Sequence, residues 1–155
     1  MTNTPQSPLN AACASAKGPY FTRVFNGSVE GEGPLSVLNV AVNDLFDVRG
    51  HITHTGSEVR KNTLPALKDA EAVAHLRGAG VGFFSHANMT EFAYSGLGLN
   101  PHNGTPLTPL REGCIAVDST SAVASDVARG VASIALGRAK APRRGFLPSF
   151  AGCSA

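Results

Sequence analysis

Charge is scarce in this sequence. Only 15% of its residues are Asp, Glu, Lys or Arg, where about 25% is usual in a free-standing globule. The 13 basic and 11 acidic residues almost cancel, and a net charge of +2 argues for no particular partner. Tryptophan is absent and tyrosine occurs twice. The three cysteines, Cys13, Cys114 and Cys153, are odd in number and form no CxxC or metal-ligand spacing. They define no disulfide framework and read as idle thiols of a reducing compartment. The opening MTNTPQSPLN has neither a basic cap nor an apolar h-region, so a secretory signal is not expected. No apolar run reaches the roughly 18 residues of a membrane span. A cytoplasmic protein with no membrane partner is the expectation. The phosphate cradle GxxxxGK[ST] is missing too, and no cofactor is implied.

What the chain does have is 43% hydrophobic residues, enough for a core, together with 17 glycines and 10 prolines that make it loop-rich. Its length suits one domain. Residues 1–18 are rich in Ser, Thr, Asn, Pro and Ala without periodicity and are expected to be a disordered leader. Phe21, Val24 and Phe25 form a helix-compatible cluster before glycines intervene. Residues 37–42 (VLNVAV) are β-branched and mostly apolar, as in a strand buried on both faces. Residues 51–55 suit a second short strand. Residues 67–79 suit a helix, with Asp69 as N-cap, Ala70, Val73, Leu76 and Ala79 at helical spacing, and Gly78 and Gly80 at its end. Residues 81–84 supply the next strand. Ser119 or Ser121 can cap a helix running to about Arg129, and residues 133–136 supply a last strand. Strands alternating with helices predict an α/β layer with a largely parallel sheet over residues 19–137. Residues 138–155 lose the pattern and read as a divergent tail.

The densest stretch is residues 80–109, GVGFFSHANMTEFAYSGLGLNPHNGTPLTP, in which Gly96, Gly98, Asn100-Pro101, Asn103-Gly104 and Pro106 make a shaped loop. This stretch closely resembles the amidase signature family of serine hydrolases, and the resemblance extends from about residue 33 to 137. GPLSVLNVAVNDLFDVRG looks like the family's first buried strand and following loop. GCIAVDSTSAVASDVARGVASIALG keeps the spacing of its serine-rich loop, helix and next strand. The resemblance implies a partial, truncated amidase-signature fold, a mixed, mostly parallel sheet flanked by helices, and hydrolysis of carboxylic amide C–N bonds by a lysine, a bridging serine in a cis peptide and a nucleophilic serine. The lysine would take a proton through the bridging serine, and backbone amides before the nucleophile would hold the oxyanion.

Carried over position by position, the lysine falls on Asn43, whose amide has no titratable amine. The bridging serine survives as Ser119, but the glycines before it are Val117 and Asp118. The nucleophile falls on Arg143, preceded by Lys140, Ala141 and Pro142, and Pro142 has no N–H to donate. The expectation is therefore a truncated, catalytically inactive relative. Its partner, if active, would be a small-molecule amide, and an exposed sheet edge would invite self-association. The alternative is a non-catalytic remnant or frameshifted fragment serving as a binding or interaction module.

Other candidates carry less. Asn88 and Glu91 suit loop-pinning hydrogen bonds rather than proton transfer. His51 and His54 lack partners for a metal site. His86 and His102 lack a third group to orient a hydrolytic pair. Arg138, Lys140, Arg143 and Arg144 form a basic cluster without interleaved aromatics, which reads as a solvated tail and argues against nucleic acid.

Overall fold

A computed structural model describes residues 19–25 and 33–138 of the chain. The leader and all of the tail beyond Arg138 lie outside the described residues. Four strands, β1 (Phe21–Val24), β2 (Asn39–Asn43), β3 (Gly82–Ala87) and β4 (Ile134–Leu136), form one sheet in the order β1-β3-β2-β4. β2 runs parallel to both β3 and β4, and β1 pairs antiparallel with β3. The sheet is thus mixed and mostly parallel: the alternation of elements predicts its parallel part, and the antiparallel β1 agrees with the mixed sheet that the resemblance implies.

β2 is buried along its whole length because helices lie on both of its faces. Val40 and Val42 point to one side and pack with Phe25, Val48, Val73, Val81 and Phe83. Val73 brings helix α1 (Glu71–Gly78) onto that layer. Ala41 points the other way and meets Ala87, Ala122, Val123 and Ala132, which seats helix α2 (Ser121–Ala128) close to the sheet through small side chains. Both helices end in the same way. Gly80 (φ +87°) and Gly130 (φ +70°) take the left-handed turn that a Cβ would resist. The amides of Val81 and Val131 then reach back to Leu76 O and Asp126 O.

Four local expectations are corrected. Phe21, Val24 and Phe25 do not start a helix, because pairing with β3 overrides local preference. The Phe25 amide bonds Phe84 O at 2.9 Å, and the Phe21 ring meets Phe84 edge-on at 5.3 Å. Residues 51–55 form no strand, because Asp44 draws their backbone into a loop: the His54 amide bonds Asp44 Oδ1 at 2.9 Å and the Thr55 amide bonds Asp44 O at 3.0 Å. Asp69 does not cap α1, whose N-cap is Ala70. Its carboxylate instead accepts from Arg49 N (2.7 Å) and from Arg77 Nε (2.7 Å), and the Arg77 bond holds its pKa below the usual value. Neither Ser119 nor Ser121 caps α2, since Thr120 stands at that position and makes no side-chain capping bond.

Candidate functional site

The parallel arrangement of β2 and β4 places the end of β2 beside the loop that enters α2. Asn43 and Ser119 therefore meet, 76 positions apart in sequence: Asn43 Nδ2 donates to the Ser119 main-chain oxygen at 3.1 Å. Asn43 is fully buried and Ser119 is 2% exposed. The Asn43 side chain thus ties down the serine loop from the side, while its own Oδ1 has no partner.

Asp118 shapes the loop from within. Its backbone sits at φ +86°, a conformation natural to glycine, and Asp is among the few other residues that tolerate it. Its Oδ1 accepts the Ser119 amide at 2.5 Å and the Ser119 hydroxyl at 3.2 Å. The carboxylate thereby holds both the backbone and the side chain of Ser119. Every peptide bond among the described residues is trans. Arg143, expected at the nucleophile position, lies outside the described residues, as do Lys140, Ala141, Pro142 and Arg144.

On α2 and the sheet, polar atoms are buried without partners. Beside Asn43 Oδ1 they are Ser85 Oγ and His86 Nδ1 on β3, Ser121 Oγ and Ser125 Oγ on α2, and both carboxylate oxygens of Asp126. Asp126 is fully buried, and burial pushes its carboxyl up to about 8, with Arg129 pulling the other way. A carboxyl in that state is neutral at pH 7 and can donate a proton in a hydrogen bond. Nothing in the sequence pattern singled Asp126 out. The available signal was an acid amid the Ala, Val and Ser residues of an otherwise uncharged helix.

The central loop behaves differently. Asn88 Nδ2 donates to Pro19 O (2.7 Å) and Gly104 O (2.8 Å), and the Ser57 hydroxyl bonds Glu91 Oε1 at 2.5 Å. Both residues do pin the loop. Asn100, unremarked in the sequence except as part of a turn, is its hub. Its Nδ2 donates to Gly56 O (2.8 Å) and Met89 O (2.7 Å), and its Oδ1 accepts the amides of His102 (2.9 Å) and Asn103 (3.0 Å). Gly56 sits at φ +69°, and a Cβ there would lie 2.5 Å from Met89 O, so the hub also requires a glycine opposite it.

The histidines separate. His102 is exposed, whereas His86 is buried on β3 with its Nδ1 3.4 Å from Asp44 Oδ1. His54 Nδ1 lies 3.8 Å from Asp44 Oδ2, and His51 stacks on the Phe25 ring at 4.2 Å. Burial lowers the pKa of both His51 and His54. Among the described residues no group of three or more His, Cys, Asp or Glu side chains is arranged to hold a metal ion. No helix among them is long and apolar enough to cross a membrane.

Comparison with known proteins agrees with this architecture. The family model described as Amidase matches residues 21–138. The chain is 36% identical over 104 residues to AtzE of the 1-carboxybiuret hydrolase of Pseudomonas sp. (strain ADP), covering 67% of this chain and 23% of that protein. It is 35% identical over 136 residues to the fatty acid amide hydrolase of Medicago truncatula, covering 86% and 22%. A solved structure described as an amidase superposes with a TM-score of 0.70 at 30% identity, covering 87% of this chain and 35% of that one. The chain therefore spans about a quarter of the length of these curated relatives. The mixed sheet, the helix on each face of β2 and the match over residues 21–138 together place the chain in the amidase family.

Proposed function

We propose that this chain is a catalytically silent amidase-family polypeptide, one that keeps the frame around the bridging serine without the groups that hydrolyse carboxylic amides. The observation that carries the reading is the contact at Asn43. A neutral lysine there would accept the proton that Ser119 relays, but an amide side chain has no titratable amine, and Asn43 Nδ2 is engaged with the Ser119 backbone oxygen. The Ser119 hydroxyl in turn faces Asp118 Oδ1, 3.2 Å away, which holds it as a donor. Loss of members of a catalytic unit is grossly non-additive, so one surviving serine retains little of the unit's rate. The ligand class that such a frame suits is a small carboxylic amide. The outer side of β4, the last strand of the described sheet, suits pairing with a second copy.

The test is ammonia release. The purified chain, incubated with simple aliphatic and aryl amides, is expected to release no more ammonia than a Ser119→Ala variant. Release that depends on Ser119 overturns the reading. A second reading, a binding module for amides, is favoured instead if calorimetry detects heat on titrating those amides into the unreactive protein.

A further inference from the structure

We propose that Asp44 and His86 share a single proton, carried by the Asp44 carboxyl and donated to the His86 ring, and that this shared proton cancels the pair's own contribution to the pH dependence of stability, where either group alone would add one. The inference starts from the tautomer. His86 is fully buried on β3, and its Nε2 lies 3.2 Å from Phe46 O. A carbonyl oxygen only accepts, so Nε2 carries a hydrogen. In a neutral ring Nδ1 is then a bare lone pair, 3.4 Å from Asp44 Oδ1 and with no other hydrogen-bond partner among the described residues. Asp44 is fully buried as well. An ionised carboxylate against that lone pair would set two electron-rich atoms together out of water, whereas one proton between them turns the repulsion into a hydrogen bond.

The carboxyl has a structural task that fixes it in place. Its Oδ1 accepts the His54 amide (2.9 Å) and its Oδ2 the Gly56 amide (3.3 Å), tying residues 54–56 to the position directly after Asn43. The other ionisable groups facing the pair are His54 and His51 from the same loop and Arg23 from β1, which is in register with His86. The Phe25 ring stands against both His51 and His86, at 4.2 and 4.9 Å. Among the described residues no Lys or Arg nitrogen lies within ion-pair distance of Asp44, so no cation other than a histidine can compensate it there.

Burial pushes the Asp44 carboxyl up to about 6 and the His86 ring down to about 4. In the unfolded chain the reference values are 3.8 and 6.5, so between roughly pH 4 and 6 the pair holds one proton, on the histidine. Folded, it also holds one, on the carboxyl. Equal proton counts mean that the pair adds no pH dependence to stability in that window. Removing one partner exposes the other. With His86→Gln, Asp44 keeps a raised pKa, the folded state binds the extra proton, and stability falls as pH rises from about 4 to 6. With Asp44→Asn, His86 keeps a lowered pKa, and stability falls as pH drops from 6.5 towards 4.

The experiment is a set of urea unfolding curves from pH 4 to 7 on the full chain and the two variants. It is read beside nitrogen and carbon NMR of the His86 ring and Asp44 carboxyl in the unaltered protein at pH 5. Relative to the parent, the folding equilibrium constant is expected to change by up to about tenfold per pH unit, in opposite directions for the two variants. The spectra are expected to show a protonated Asp44 and a neutral His86 with its hydrogen on Nε2. Variants that slope the same way overturn the proposal. So does a doubly protonated His86 beside an ionised Asp44, and the spectra decide alone if either variant fails to fold.

Discussion

Asn100 and Asp126 are equally sealed from solvent, at 1% and 0% exposure, yet one is surrounded by partners and the other has none. Around Asn100 the amide hydrogens and the oxygen all meet backbone groups, and Asn88 and Glu91 extend the same network across the central loop. Around Asp126 both carboxylate oxygens and the neighbouring serine hydroxyls of α2 stand unpaired. Buried polar groups are rarely left unsatisfied, because each costs about 1–3 kcal/mol. The contrast separates two parts of the molecule. The central loop is self-contained: its own side chains close its own backbone. The layer between α2 and the sheet is not closed by the described residues. It is in the self-contained part that the sequence reads most clearly as its family.

The largest expected effect comes from breaking the satisfied region. Asn100→Ala strands Gly56 O, Met89 O and two loop amides at once. A loss of about 3 kcal/mol, read as a drop in the urea midpoint, is expected from several unmet buried groups. A loss below about 1 kcal/mol means that the loop closes without its hub, and the contrast between the two regions then disappears.

The next effect has the opposite sign. Asp126→Ala removes a buried carboxyl without partners and should stabilise the fold by about 2 kcal/mol. Its pH dependence is specific. The folded pKa, about 8, stands above the reference value of 3.8, so the native state of the parent holds a proton that the unfolded chain releases. Parent stability therefore falls as pH rises from about 4 to 8 and levels off beyond. The advantage of the variant should grow over that window and then stay constant. Thermal melts at pH 5, 7 and 9 measure it, and an advantage independent of pH means that Asp126 is ionised and partnered.

How far the sequence foretold this molecule follows the same division. β2, β3, both helices and the parallel order were legible because they rest on local patterns: short apolar runs, helical spacing, and strands alternating with helices. β1 was misread because its strand character comes from pairing with β3, a distant contact that short apolar clusters do not encode. The loop of residues 51–55 was misread because Asp44 outcompetes the sheet for two of its amides, taking that of His54 on its carboxylate and that of Thr55 on its main-chain oxygen. In the site, the meeting of Asn43 with Ser119 followed from aligned positions. The roles of Asp44, Asn100 and Asp126 did not, since each depends on what surrounds a polar side chain after folding. Asn39 is a like case: it sits in an apolar run, and its Oδ1 accepts both the amide (2.6 Å) and the hydroxyl (2.7 Å) of Ser133.

The smallest effect tests whether the site side retains any closure of its own. Asp118 combines an unfavourable backbone with favourable bonds. Its φ of +86° costs on the order of 1 kcal/mol in a residue with a Cβ, and glycine relieves that cost. The same substitution deletes the acceptor for the Ser119 amide and hydroxyl, worth about 1 kcal/mol net for each bond. The terms oppose, so Asp118→Gly should change stability by no more than about 1 kcal/mol. Amide hydrogen exchange is the sharper readout. With the carboxylate gone, the Ser119 amide should exchange faster even if the midpoint barely moves. If its protection is unchanged, the loop is held by Asn43 and by the backbone bonds of Asp118 with Gly96 and Ser121, and the aspartate's side chain is not put to use.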